Sequence, residues 1–111
     1  MEALELARRV REALLSKKGD KVMIFDVRGK SSITDYYVIA SGATGPQLKA
    51  MTTAIVKDLK DTGEPRCRLS GAPDDGWIVV DCIDVVIHVL LQELRDYYAI
   101  EDLWADSPLV E

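Results

Sequence analysis

Apolar and polar residues recur along the chain with two different periods, and the switches between those periods mark its elements. Between residues 3 and 17, Ala3, Leu6, Ala7, Val10 and Leu14 fall at helical spacing, while Glu5, Arg8, Arg9 and Glu12 fall mainly elsewhere. That pattern predicts an amphipathic helix, with Glu5 and Arg9 as a favourable i,i+4 pair. Lys17-Lys18-Gly19 predicts its end, with cations at the negative pole of the helix dipole and a glycine as C-cap. Val22 to Phe25 is a short continuous apolar run, as expected of a buried strand, and Arg28-Gly29-Lys30 closes it as a turn. Tyr36 to Ala40, rich in aromatic and β-branched residues, predicts a second strand. Gly42 and Gly45 break this pattern, and Pro46 suits the first turn of a second helix reaching about Thr62-Gly63. Leu48, Met51, Ile55 and Leu59 form its apolar stripe.

Arg66 to Leu69 reads as a brief strand, and Ala72-Pro73-Asp74-Asp75-Gly76 as turn chemistry. Two apolar runs, Trp77 to Val80 and Val85 to Val89, then flank Asp81-Cys82-Ile83-Asp84. They predict an antiparallel hairpin with Asp81 opposite Asp84. Ile78, Val80, Val85, Ile87 and Val89 would share one face; Trp77, Val79, Asp81, Asp84, Val86 and His88 would share the other. A tight loop wants φ > 0, which β-branched Ile83 resists, so a wider or bulged loop is expected. Leu91, Leu94 and Tyr98 suggest a third helix with Glu93, Arg95 and Asp96 outward. Ile100, Leu103 and Trp104 would pack onto the body, and about residues 105 to 111 would fray. The order predicts a single domain over residues 1–111, an α/β chain of the α+β type. Its mixed five-stranded sheet would carry helices mainly on one face.

Length and charge narrow the function. A chain of 111 residues leaves room for one core. No apolar run approaches the roughly 20 residues that span a bilayer, so no membrane partner is expected. The acidic start Met1-Glu2-Ala3-Leu4-Glu5 has no apolar signal core, which points to the cytoplasm. Cys67 and Cys82 form no CxxC pair, and without an export signal two reduced thiols are expected rather than a disulfide. Fourteen basic against nineteen acidic residues leave a formal charge of −5. That field opposes a phosphate backbone, so nucleic acid is not expected as the main partner; a basic protein would be attracted.

Candidates for catalysis are few. His88 is the sole histidine, which excludes multi-histidine metal sites, and the cysteines complete no zinc spacing; no metal and no cofactor are expected. There is no GxSxG elbow. Ser41-Gly42-Ala43-Thr44-Gly45-Pro46 lies between a strand and a helix start, where amides can hold phosphate. It lacks the Walker lysine, and no Asp-x-Asp pair occurs to hold a metal for nucleotide transfer. The plainer reading is a strand-to-helix turn. The Trp77 face, by contrast, would combine an indole, an imidazole and carboxylates, which suits a protein-binding surface. The same residues allow that face to pack instead against the first helix or the tail, with Trp77 as core.

Three segments together resemble one family. Ser31-Ser32-Ile33-Thr34-Asp35-Tyr36-Tyr37-Val38-Ile39-Ala40-Ser41-Gly42 is similar to the strand signature of the Iojap or ribosomal silencing factor family. Trp77 to Asp81 with Asp84 to Val89 resembles its second signature, and Glu93 to Tyr98 with Leu103-Trp104 its carboxy-terminal element. The likeness covers about residues 4 to 105. Two departures stand out: Ile83 where the family usually has glycine, and Ser70-Gly71 where it often has Glu-Gly. The resemblance implies a fold related to nucleotidyltransferases without the catalytic carboxylates, and no enzyme activity. It implies binding to the large ribosomal subunit through the ribosomal protein L-fourteen, steric block of subunit association, and repressed translation. Organellar relatives act in large-subunit assembly, an alternative role; a minimal nucleotidyltransferase is the remote one. The family also suggests a homodimer. On the matched positions, partner contacts fall on Trp77 as anchor and on Asp81 and Asp84 as acceptors, with His88, Tyr36, Asp35 and Glu93 as lesser candidates.

Overall fold

The computed structural model describes residues 1–63 and 67–111. Helix α1 (Ala3–Ser16), strands β1 (Asp20–Asp26) and β2 (Tyr36–Gly42), helix α2 (Gly45–Asp61), strands β3 (Arg68–Ala72), β4 (Trp77–Asp81) and β5 (Val85–Leu91), and helix α3 (Gln92–Tyr98) follow in order. Short 3₁₀ turns occupy Pro73–Asp75 and Ile100–Trp104. The expected five-stranded sheet forms, in the order β1-β2-β5-β4-β3. It is mixed, because β2 and β5 pair in parallel while the other neighbours are antiparallel. The start of the expected Arg66–Leu69 strand lies outside the described residues; the strand itself begins at Arg68 and runs three residues further than expected.

Helices α1 and α2 cover one face. Leu6, Val10, Leu14, Leu48, Met51, Ile55 and Leu59 bury against Ile24, Val38, Ile78, Val80, Val85, Ile87 and Val89. All five aliphatic residues expected on one hairpin face are therefore in this core. The facing pairs themselves are corrected. Asp81 pairs with Val86 and Val80 with Ile87, two positions away from the Asp81–Asp84 register. A slip of two preserves side-chain parity, so the faces survive although the partners change. Four residues, Cys82 to Val85, now separate the last pair, so the loop is wider than the Asp81–Asp84 register allows, as expected. Asp84 N–H donates to Cys82 O at 2.8 Å, a three-residue turn centred on Ile83, which takes φ 69° despite its branched Cβ.

The end of α1 also differs in detail. The left-handed residue is Lys18 (φ 61°), not Gly19. Gly19 is required by crowding instead, since a Cβ there would sit 2.8 Å from the carbonyl oxygen of Leu14.

The second face carries its own smaller core. Phe25, Val27, Ile39, Leu90 and Ile100 are buried together, with Tyr37, Trp77, Leu94 and Trp104 packed around them. Arg95 is a correction here. Expected to point outward, it is 2% exposed. Its guanidinium binds both carboxylate oxygens of Glu101 and donates to Asp20 O and Ser41 Oγ, which ties α3 and the following turn to the sheet. A planar five-donor group can be buried when its donors are met in this way.

Two further expectations are overturned. The tail does not fray: Asp26 N–H donates to Pro108 O, Val110 N–H donates to Ile24 O, and Phe25 bridges Leu109. Its backbone satisfies the open edge of β1, which would otherwise present unpaired amides and carbonyls. Cys67 and Cys82 are joined as a disulfide rather than left as thiols. The cause is register. One step beyond the Arg68–Asp81 pair the two cysteines face each other across β3 and β4, with Cα atoms 4.3 Å apart.

Candidate functional site

The face opposite α1 and α2 can be read as rows of side chains set by register. Trp77, Val79 and Asp81 line β4; Leu90, His88 and Val86 line β5 beside them. Ser41, Ile39 and Tyr37 follow on β2, paired with Leu90, His88 and Val86. Helix α3 and the Ile100–Trp104 turn cover the Leu90–Ile39 part through Leu94, Ile100 and Trp104. Toward the other end, Val79 is only half-buried, and Asp81, Ile83 and Asp84 are exposed.

The centre of this face is an aromatic cluster. Trp77 Nε1–H donates to His88 Nδ1 at 3.2 Å. The indole also lies 5.4 Å from the Tyr98 ring, centroid to centroid. Tyr37 stacks on Trp104 at 4.2 Å with planes 10° apart, and His88 sits 5.6 Å from Trp104. Trp77, Tyr37, His88 and Trp104 are all half-buried, so each ring keeps one part packed and one part accessible. Burial lowers the His88 pKa from 6.5 to about 4. The ring is neutral at physiological pH.

Three acids gather at one end of the sheet. Asp81 accepts from Ile83 N–H at 2.9 Å, so its carboxylate braces the turn as well as facing solvent. The carbonyl of Asp84 accepts from both Asp35 N–H and Tyr36 N–H at 3.1 Å, which brings the hairpin turn against the start of β2. Glu93 is exposed on the first turn of α3, at the opposite, Trp77 end. Tyr36 is a correction to the surface expectation. It is 2% exposed and packs in the core beneath the helices, because it shares parity with Val38 and Ala40 rather than with Tyr37.

The sequence places Tyr37, Tyr98 and Trp104 in a strand, a helix and a packed tail, but does not mark them as members of this face. The signal for Tyr37 was present as its neighbour relation to Tyr36, but choosing between the two needs the β2–β5 register. Tyr98 and Trp104 reach the face only because α3 folds back over it.

The Ser41–Pro46 loop is occupied by its own structure. Thr44 Oγ1 accepts from Gln47 N–H, and the Gln47 side chain accepts from Ala43 N–H and donates to the carbonyls of Lys17 and Lys18. A Cβ on Gly42 would meet Leu48, Met51 and Gln47 at 3.0–3.1 Å. Gly42 therefore serves packing, and the Ala43 amide already has its acceptor. Among the described residues no helix is long and apolar enough to cross a membrane.

Comparison with known proteins concerns the chain as a whole. The family described as "Ribosomal silencing factor during starvation" matches residues 1–111. The chain is 37% identical over 94 residues to the ribosomal silencing factor RsfS of Haemophilus influenzae, covering 85% of this chain and 92% of that one. It is 36% identical over 86 residues to the mouse "Mitochondrial assembly of ribosomal large subunit protein 1", covering 75% of this chain and 38% of the mouse protein. The crystal structure of a Chromobacterium violaceum protein superposes with a TM-score of 0.89 at 35% identity, covering 94% of this chain and 87% of the other.

Proposed function

The chain belongs to the ribosomal silencing factor family, and we propose that it docks in the cytoplasm on the large ribosomal subunit, through the ribosomal protein L-fourteen. Its bulk then blocks association with the small subunit and represses translation. The observation that carries this reading is the half-covered sheet face, where the Trp77–His88–Tyr37–Trp104 cluster lies beside an acidic end built from Asp81, Asp84 and Asp35. Aromatic rings held rigid and partly wet are efficient anchors at protein interfaces. Carboxylates beside them favour a cationic partner and raise its rate of encounter. The formal charge of −5 acts in the same direction.

In this reading Trp77 is the anchor, Asp81 and Asp84 accept from basic side chains, Asp35 and Glu93 are rim charges, and His88 orients the indole. Tyr36 supports β2 from beneath. No chemistry is required, because a bound factor excludes its competitor by mass action. The test is subunit joining with purified subunits and increasing amounts of the protein. Fewer joined ribosomes at higher concentration is the expected result; joining unaffected at saturating protein would overturn it.

The name of the mouse relative supports a second reading, a role in large-subunit assembly through the same face. Sucrose gradients of a deletion strain separate the two. Accumulated large-subunit precursors favour assembly, whereas normal subunits with failed shutdown in starvation favour silencing.

A further inference from the structure

We propose that Cys67 and Cys82 form a reversible redox clasp that holds the acidic turn in its binding shape, and that reduction by a dithiol loosens this end of the sheet. The inference deepens the functional reading above and rests on it for its consequence at the ribosome.

Strand β3 is the edge of the sheet and has β4 as its neighbour there. Four of its five residues are exposed, including Leu69 at 50%, so little apolar burial holds it in place. Cys67 precedes it directly, is partly buried against the main core and is bonded to Cys82, which is 8% exposed within that core. The disulfide thus ties an otherwise lightly held strand to the interior.

The same bond grips the turn. Cys82 N–H donates to Val85 O, and Cys82 O accepts from Asp84 N–H. Between them Ile83 is held at φ 69°, a conformation that a β-branched residue resists. Such backbone persists where its surroundings over-determine it. Here the Asp81 carboxylate and the disulfide at Cys82 together hold the side of the turn that leads into Ile83, while the Asp84 carbonyl, accepting from Asp35 N–H and Tyr36 N–H, holds the side that leaves it. Asp81, Ile83 and Asp84, exposed at the acidic end of the proposed partner surface, all lie within two positions of Cys82.

The chemistry is thiol–disulfide exchange. A thiolate of the dithiol attacks the sulfur of Cys67, the less buried of the two residues, and the S–S bond breaks with Cys82 leaving as its thiolate. The second thiol of the reductant then attacks the mixed disulfide and releases Cys67. Two electrons and two protons pass to the cysteines, and the reductant departs as its own disulfide. Where thiol pools keep proteins reduced, disulfides are rare and those that form are typically transient or redox-sensing. A chain that acts on ribosomes meets such a pool.

The test compares full-length protein equilibrated in oxidising glutathione buffer with the same protein reduced by dithiothreitol. Alkylation and mass measurement should find no free thiol in the first and two in the second. Amide hydrogen exchange at β3 and at Ile83–Asp84 should rise roughly tenfold or more on reduction, with α1 unchanged. A Cys67→Ser/Cys82→Ser variant should exchange fast in both buffers. Two free thiols throughout, or exchange unmoved by reduction of the wild type, would overturn the clasp. Sedimentation with purified large subunits should show the oxidised form binding several-fold more tightly; equal binding of both forms would overturn its link to the partner surface. Absence of binding in either form would instead sink the functional reading, while exchange still decides the clasp.

Discussion

Trp77 and His88 are joined by a hydrogen bond in which the indole Nε1–H donates to Nδ1 of the imidazole, 3.2 Å away, with ring centroids 6.0 Å apart. The acceptor needs its lone pair, so the imidazole carries its proton on Nε2. Burial, which lowers the pKa to about 4, favours the same neutral state. His88 therefore acts at neutral pH as an orienting group for the indole and not as a cation.

Stability should follow from that pair. Below the ordinary histidine pKa of 6.5 the unfolded chain takes up a proton that the folded chain refuses until about 4. Stability from this source is complete above 6.5 and is lost as pH falls toward 4, by on the order of 2 kcal/mol after allowance for the ring's partial exposure. His88→Gln keeps an acceptor and does not titrate. Urea unfolding between pH 4 and 7 should show the wild type losing stability through this window more steeply than the variant. Parallel profiles would remove His88 as the titrating group.

Ile83 is the second point of leverage. Its φ of 69° costs a β-branched residue on the order of 1–2 kcal/mol, and glycine adopts it freely. The side chain is 56% exposed, so its removal forfeits little burial. Ile83→Gly should raise stability by about 0.5–1 kcal/mol after the entropy of the more flexible unfolded chain is subtracted. A lower denaturation midpoint for Ile83→Gly than for the wild type would show that the turn is not strained.

Much of the fold was legible in the sequence because parity and periodicity are local. Ile78, Val80, Val85, Ile87 and Val89 sorted correctly to one face even though the hairpin pairs were two positions off. The errors fall where a remote partner decides. Arg95 reads as a surface cation until Glu101, Asp20 and Ser41 are brought around it. The tail looks frayed until β1 offers it an open edge, and the two cysteines look unrelated until β3 and β4 are set in register. In the candidate site, Trp77 and the hairpin acids could be found from their strand. Choosing Tyr37 over Tyr36, and adding Trp104, required the sheet order and the return of α3.

Arg95 offers a direct test of how the second face is built. Its side chain is 2% exposed, against 27% for Glu101. Arg95→Met would remove the donors that join Glu101, Asp20 O and Ser41 Oγ and free the Ile100–Trp104 turn, although Glu101 can rehydrate and Ser41 Oγ still donates to Asp20 O. The expected loss is roughly 2–4 kcal/mol. Arg95→Lys should recover little, because one ammonium cannot reproduce the fork that spans Glu101, Asp20 and Ser41. Full rescue by lysine in thermal unfolding would mean that charge alone suffices there.

Charge and shape at the partner face can be separated by choosing substitutions that spare the turn. Asp81→Asn can still accept from Ile83 N–H, and Asp84 contributes its backbone carbonyl to β2 whatever its side chain. The double variant Asp81→Asn/Asp84→Asn should thus fold as the wild type does, yet bind large subunits with a weaker dependence on salt. Trp77→Ala should weaken binding by about 2 kcal/mol or more at every salt concentration, since an anchor acts through contact and not through field. Trp77 also packs against Tyr98 and holds His88, so the variant must first be shown to unfold as cooperatively as the wild type. If a folded Trp77→Ala sediments with large subunits as well as the wild type, the indole is only a core residue. If the aspartate variant keeps the wild-type salt profile, the acids face solvent and not the ribosome.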